Sequence, residues 1–411
     1  MQKTSVHLSQ LVEVGLPQQE STPSHLKCWT SFWLHSTLPI LDIMYLRVIR
    51  LIRANRILQR KSWNRVCHLS IIFGLTVTFF LAPPPWSCAL DNEPKAADLV
   101  TDKQPIDIHS KKYQELFLDL TTEHQFTVEE LENLFKGVNI DQKVLQLMDK
   151  QWEGKPYYEY RPLFITPAVI SDGKKYLKRY HELFDHIEGV YGVNREVIVA
   201  IWGIESRFGS NQGGFNLFRT LNTLFDAYPR RADFFRKELI NFIQLCKVND
   251  INPLEVDGSY AGAFGQAQFM PSSYNAYAVD FDGDNKRDLI HSLPDIFASI
   301  ANYLKSFGWT LDAPVYAEIG SSLNSTELID VHANGRNDRV DWRYVTETQK
   351  VQLPRPPDKS QLSIIGLELA PEEGGGMRYV AGYPNFQAIT EYNHSHKYAM
   401  AVSEMAESFL K

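Results

Sequence analysis

Between Ile106 and about Phe307, apolar side chains recur at three and four positions, and Gly, Pro and Asn interrupt the pattern at intervals. That period predicts amphipathic helices, among them stretches around 116–120, 128–135, 176–191 and 234–245. From about 311 to 393 the period fades. Short alternating runs, Gln361-Leu362-Ser363-Ile364-Ile365 and Met377-Arg378-Tyr379-Val380, lie there between Pro-rich 354–357 and Gly374-Gly375-Gly376 turns. They predict a small strand-rich insertion. A helical period returns over 397–410 as a closing helix. With no internal repeat or low-complexity tract, the expected fold class is α+β, mainly helical. The expected layout is a leader and export signal over 1–89, poorly ordered or removed, and a linker over 90–106. A helical region then covers 107–310, a strand-rich domain 311–390, and a C-terminal segment, 391–411, returns to the core.

The N-terminus changes this picture. Arg47, Arg50, Arg53, Arg56, Arg60, Lys61 and Arg65 precede an apolar run, 69–82, followed by three prolines and Ser87-Cys88-Ala89. Basic region, short apolar region and small residues, in that order, predict an export signal cleaved near Ala89. The run is shorter than the roughly 20 residues that span a bilayer, so a membrane-anchored form is the weaker reading. Lipidation at Cys88 is a further alternative, against which Pro85 and Trp86 stand where a lipoprotein signal has an aliphatic and a small residue. Residues 1–43 receive no fold, and Met44 is an alternative start. After cleavage only Cys246 of the four cysteines is left, so core packing rather than an internal disulfide must hold the fold.

Charge and composition exclude some classes. With 44% apolar and 22% charged residues, the 411-residue chain is long enough for two or three packed units. The net charge is −7, but 1–89 carries nine Lys/Arg against three Asp/Glu, which leaves −13 on the remainder. Generic nucleic-acid binding is therefore not expected.

The sharpest chemical signal is the segment 195–209, REVIVAIWGIESRFG, with Asn194 placed as an N-cap and Gly209 as a helix stop. Glu205 follows Ile198 by seven residues, Ile201 by four and Trp202 by three, so it projects from the apolar stripe. Desolvation there raises a carboxyl pKa and keeps the proton that a general acid must donate. The competing reading is a structural ion pair with Arg207 or Arg219.

A second signal is the acidic stretch 280–288, DFDGDNKRD. Asp280, Asp282, Asp284 and Asp288 occupy positions one, three, five and nine of an EF-hand-like loop, with the Lys286 carbonyl at seven, an oxygen set that suits structural Ca²⁺. Asn285 stands where Gly is usual at six and His291 where a bidentate Glu is expected at twelve, so any ion is expected to be held weakly. The alternative is an Asx-rich turn whose carboxylates are solvated or paired with Lys286 and Arg287. His291, His394 and His396 do not form a zinc set.

Four separated motifs then agree. The Glu205 segment, TLNTLFDAYPRRADFF (220–235), SYAGAFGQAQFMPSSY (259–274) and EYNHSHKYAMAV (391–402), with YYEYRPLFIT (157–166), resemble the membrane-bound lytic murein transglycosylase B family over roughly 107–411. The resemblance implies a lysozyme-like core with an additional helical domain and a small β domain. It also implies a periplasmic enzyme acting as a monomer on peptidoglycan glycan strands, with no cofactor for its chemistry and a comparable metal loop. Glu205 falls on the family's catalytic acid, which cleaves the MurNAc–GlcNAc bond and leaves a 1,6-anhydromuramyl end. Sugar-binding positions carry over to Tyr160, Arg230, Arg231, Phe234, Ser259, Gln268, Tyr303, Tyr392, Asn393 and Tyr398. Phe234 stands where a Tyr is usual and loses one hydroxyl. Tyr303 and Tyr398 also fit core aromatics, and Arg230 and Arg231 also fit a helix cap or pairs with Asp226 and Asp233. Asp226, Asp233 and Glu238 read as ion-pair partners of that Arg-rich segment, which leaves Glu205 without a second carboxylate. A muramidase that adds water and a catalytically silent peptidoglycan-binding scaffold are the competing functions.

Overall fold

The computed structural model describes residues 95–149, 154–357 and 361–411. The export-signal, lipidation and anchor readings fall on 1–89 and lie outside the described residues. Among the described residues, no helix is long and apolar enough to cross a membrane.

The described helices in chain order are α1 (Lys111–Glu123), α2 (Val128–Phe135), α3 (Gln142–Met148), α4 (Tyr157–Tyr160), α5 (Pro167–Arg179), α6 (His181–Tyr191), α7 (Arg195–Ser206) and α8 (Leu217–Ala227). They continue with α9 (Ala232–Val248), α10 (Pro271–Tyr277), α11 (Leu293–Ser306), α12 (Thr326–Ala333), α13 (Trp342–Gln349), α14 (Pro384–Tyr392) and α15 (His396–Leu410). The chain from residue 95 is already docked: Ala96, Ala97 and Ile106 are buried, and Pro105 bridges to Asn139.

The spine of the core is α7. Every residue from Val197 to Ile204 is buried, because the sequence is apolar around the whole helix rather than along one stripe. It packs against α5, α6, α11 and α15. The last of these is rich in Ala and buries Tyr398, Val402 and Met405. Small residues allow the close approach: a Cβ at Gly173 would lie 2.3 Å from the Phe409 ring, and one at Gly203 would lie 2.8 Å from Phe208.

The strand-rich region forms a four-stranded antiparallel sheet in the order β3-β6-β5-β4, from β3 (Tyr316–Gly320), β4 (Val340–Asp341), β5 (Gln361–Glu368) and β6 (Met377–Gly382). Leu362 and Ile364 of β5 face a second core with Ile319, Leu328, Val345 and Tyr383. Ile365 and Leu367 face the main core. A strand covered on both sides reads as a continuous apolar run, which is why its alternation is weak. This region also contains α12, α13 and, from Pro384, α14, none of which the fading period announced. A separate two-stranded pair, β1 (Phe215–Asn216) with β2 (Asp257–Gly258), sits beside the end of α7 in sequence.

Candidate active site

Asn194 stands at the N-cap position of α7, as expected, but its side chain makes no cap hydrogen bond. Instead its amide accepts from Trp309 Nε1 at 3.2 Å and donates to Asp312 at 2.8 Å. The helix stops at Ser206, three residues before Gly209, because Arg207 and Phe208 turn left-handed with φ of 49° and 58°. Non-glycine residues adopt that region only when their surroundings enforce it. Here Ser206 Oγ accepts from Gly209 N at 3.0 Å and donates to Trp202 O at 3.1 Å. Gln266 completes the clamp: its Oε1 accepts from Trp202 Nε1 at 2.8 Å and its Nε2 donates to Ile290 O at 2.8 Å. A Cβ on Gly209 would meet that amide at 2.3 Å, so glycine is required there.

This turn leaves Glu205 at the mouth of the buried helix, with part of its side chain still open to the surface. Among the described residues it makes no ion pair. Arg219 is engaged by Asp141 at 3.1 Å and by backbone carbonyls, and Arg207 is exposed. Among the described residues its carboxyl has one hydrogen-bond partner, the Tyr398 hydroxyl, which donates to Oε1 at 2.6 Å. Burial pushes the Glu205 pKa up to about 7, and the Tyr398 hydrogen bond only partly opposes that. Among the described residues no other carboxylate contributes to the shift.

Tyr398 begins a run of aromatic contacts. It stacks on Tyr392, with centroids 6.5 Å apart and planes at 12°, and Tyr392 packs on Tyr303 at 4.8 Å. Their hydroxyls are committed to backbone: Tyr392 to Ala267 O at 2.6 Å, Tyr303 to Glu391 O at 2.7 Å. Tyr303 is thus a buried support with a satisfied hydroxyl, whereas Tyr392 keeps an open face. Burial, with Glu205 and Tyr392 alongside, holds the Tyr398 hydroxyl protonated far above the usual tyrosine range, and Tyr160 acts on it in the same direction.

The carbonyl that Tyr392 holds belongs to the residue before Gln268, so the 259–270 loop joins this group. Ser259 Oγ accepts from Ala263 N at 3.1 Å and fixes a tight turn. Gln268 is left-handed, with φ of 48°, and its Nε2 donates to Gly265 O at 2.9 Å and Gln212 O at 3.1 Å. Asn393 follows α14 and is exposed. Exposed Arg231 lies over the half-buried Phe234 ring at 4.2 Å at the start of α9, and among the described residues no hydrogen bond or ring contact ties these two to Glu205. The acids of that segment do not all serve it. Asp226 pairs with Lys112 of α1, and the buried Glu238 accepts from Ser272 N at 2.9 Å and Ser272 Oγ at 2.7 Å.

In the acidic loop, ligand-type oxygens of Asp280, Asp282 and Asp284 lie within 4.8 Å of one another. Asn285 takes the left-handed turn, φ 69°, that Gly usually makes at its position, a conformation Asn tolerates. Asp288 departs from the expected set: its side chain accepts from Ile290 N and His291 N and faces His291 Nδ1 at 3.2 Å. The residue that closes the loop is Asp295, fully buried, which accepts from Phe281 N at 2.7 Å and Asp288 N at 2.8 Å.

The chain matches the family described as "Transglycosylase SLT domain" over residues 109–407. It belongs to that family. This transglycosylase is 34% identical over 311 residues to "Membrane-bound lytic murein transglycosylase B" of Escherichia coli (strain K12), covering 71% of this chain and 81% of the relative. It resembles the soluble lytic transglycosylase SltB1 of Pseudomonas aeruginosa with a TM-score of 0.64 at 36% identity, over 72% of this chain and 97% of that one. The Escherichia coli lytic transglycosylase Slt35 in complex with calcium matches with a TM-score of 0.66 at 32% identity, over 75% and 95% of the two chains. The transglycosylase is accordingly a lytic murein enzyme with a mainly helical, lysozyme-like α+β fold.

Proposed function

We propose that Glu205 is the one carboxyl that performs both proton transfers of the lytic reaction. Its proton passes to the oxygen linking N-acetylmuramic acid to N-acetylglucosamine as the bond to the muramyl C1 breaks. The substrate's 2-acetamido oxygen stabilises the resulting oxocarbenium ion. The muramyl 6-hydroxyl oxygen then bonds to C1 while the Glu205 carboxylate takes its proton. No water is consumed, the product is a 1,6-anhydromuramyl end, and the enzyme returns to its starting state.

The observation that carries this reading is a lone, desolvated carboxyl whose pKa lies near 7 and which has a hydroxyl, not a cation, as its partner. Most glycosidases acting on water use two carboxylates at a set separation, and among the described residues no carboxylate is bonded to or acts on Glu205. Tyr398 serves the cycle by donating to the carboxylate once its proton has left. Tyr392, Tyr160, Ser259, Gln268 and Asn393 supply stacking faces and hydrogen-bonding groups for the sugars, with Arg230, Arg231 and Phe234 further along the strand. The related SltB3 of Pseudomonas aeruginosa has been solved in complex with NAG-anhNAM-pentapeptide, 30% identical with a TM-score of 0.61 over 73% of this chain and 79% of that one, which supports the substrate class.

Asp280, Asp282 and Asp284, with the Lys286 carbonyl, would hold a structural Ca²⁺, which stiffens the loop ahead of α11 and enters no chemical step. The clustered oxygens fit a hard cation, and Asp288 would have to turn away from His291 to join. The enzyme acts as a single chain in the periplasm after removal of its N-terminal signal.

The test is digestion of purified sacculi with the wild type and Glu205→Gln, read by mass spectrometry. The wild type is expected to release muropeptides one water lighter than hydrolytic products, and the variant to lose about 10²–10⁴-fold in rate while still binding sacculi. Wild-type release by the variant would contradict the assignment, and products with reducing muramic ends would favour a hydrolase.

A further inference from the structure

Tyr160 lies on the four-residue α4, which continues into a 3-10 turn over Arg161–Leu163. A helix of one turn cannot hold itself in water, and in α4 only Tyr157 is buried. Polar contacts from distant elements anchor the segment. Tyr157 N donates to Glu368 of β5 at 2.9 Å, and Lys397 of α15 donates to Lys155 O at 2.5 Å and faces Glu368 at 3.3 Å. The strongest anchor is Glu404 of α15, which is 9% exposed. Its Oε2 accepts from Tyr157 OH at 3.1 Å and Arg161 Nε at 2.5 Å. Its Oε1 accepts from Arg378 Nη1 of β6 at 2.5 Å, and Arg378 also grips Glu318 of β3.

Glu404 therefore sits where α4, β6 and α15 meet, on the helix that presents Tyr398 to Glu205. The apolar side chains Tyr398, Val402 and Met405 already fix α15 in the core, so the element that depends most on Glu404 is the Tyr160 segment. We propose that Glu404 is a positioning residue: through Tyr157 and Arg161 it holds the α4 segment, and Tyr160 with it, against the helix whose Tyr398 bonds Glu205, and so keeps water from the acid. The groups facing Glu404 are Tyr157, Arg161, Arg378 and, more distantly, Tyr316. Those facing Glu205 are Tyr398 and, behind it, Tyr392. The inference rests on Glu205 being the acid.

The test compares pH profiles of peptidoglycan cleavage for the wild type, Glu404→Gln, Arg161→Gln, Tyr160→Ala and the Glu404→Gln/Tyr160→Ala double variant, with Glu205→Gln as control. Arg161 is partly exposed, so its variant keeps the test open if Glu404→Gln fails to fold. Both anchor variants are expected to unfold cooperatively, lose about tenfold in kcat through misplacement of the substrate wall, and move the alkaline limb to lower pH. Water reaching Glu205 would pull its pKa down toward the ordinary carboxylate value. Tyr160→Ala is expected to move the limb the same way, and Glu404→Gln to add little on top of it. A wild-type limb in the folded anchor variants, or full additivity with Tyr160→Ala, would overturn the proposal. With Glu205→Gln inactive, that result sinks the positioning role alone, whereas an active Glu205→Gln sinks the catalytic reading itself.

Discussion

Two glutamates on packed helices, Glu205 at the end of α7 and Glu404 in the middle of α15, are treated in opposite ways by their surroundings. Burial pushes both toward the neutral form. At Glu205 only a phenol answers, so the pKa stays up at about 7. At Glu404 the guanidiniums of Arg378 and Arg161 more than reverse the burial and hold the carboxyl below its ordinary range. The same residue type thus keeps its proton toward neutral pH in one place and is a permanent anion in the other, and the number of cations within reach decides which.

This contrast gives opposite pH slopes, and the largest expected effect on stability comes from the acid. Glu205 keeps its proton in the native state up to about 7, while the unfolded chain releases it near 4.5. Its contribution is therefore lost as pH rises from 4.5 through 7 and stays lost above. Glu205→Gln should stabilise the fold at pH 8 by at most about 3 kcal/mol, less for its residual exposure, with little gain at pH 4. Thermal melts at the two pH values check this, and an equal gain at both would break the contrast. Glu404 contributes in the other sense: its stability is present above the ordinary carboxylate range and is lost as pH falls through its lowered pKa.

Removing the anion is expected to cost somewhat less. Glu404→Leu should lose about 2 kcal/mol in denaturant titration, below the 3–5 of a fully enclosed pair because Arg161 stays partly in water. The smallest change sharpens the acid's side. Tyr398→Phe removes the donor that lowers the Glu205 pKa, so the alkaline limb of activity should move to higher pH while kcat falls about tenfold. A limb moving downward would show that Tyr398 acts by some other route.

How much of this could be read from the chain follows the same division. Glu205 was legible because its neighbours at three, four and seven residues are apolar, a purely local pattern. The acidic loop was legible because its carboxylates lie close together in the sequence, within 280–288. Glu404 was not singled out, since its partners lie 243 and 26 residues away and a charge on a closing helix passes for a solvated one. Its place between Ser403 and Met405 in an Ala- and Met-rich run was the available signal. Asp295 lies in the first turn of α11, and nothing local shows that its side chain folds back to Phe281 N and Asp288 N. Gln266 lay inside a quoted motif, and only the structure shows that it ties Trp202 to Ile290. The stop of α7 falls before Gly209 because Arg207 and Phe208 turn left-handed, whereas Asn194 keeps the N-cap position while Trp309 and Asp312, far along the chain, hold its side chain.

If burial holds the Glu205 proton toward neutral pH, a ¹³C NMR titration of its side-chain carboxyl in the folded enzyme, assigned by its absence in Glu205→Gln, reads it directly. A midpoint near 7 is the expected result, and a midpoint near 4.5 would contradict the account.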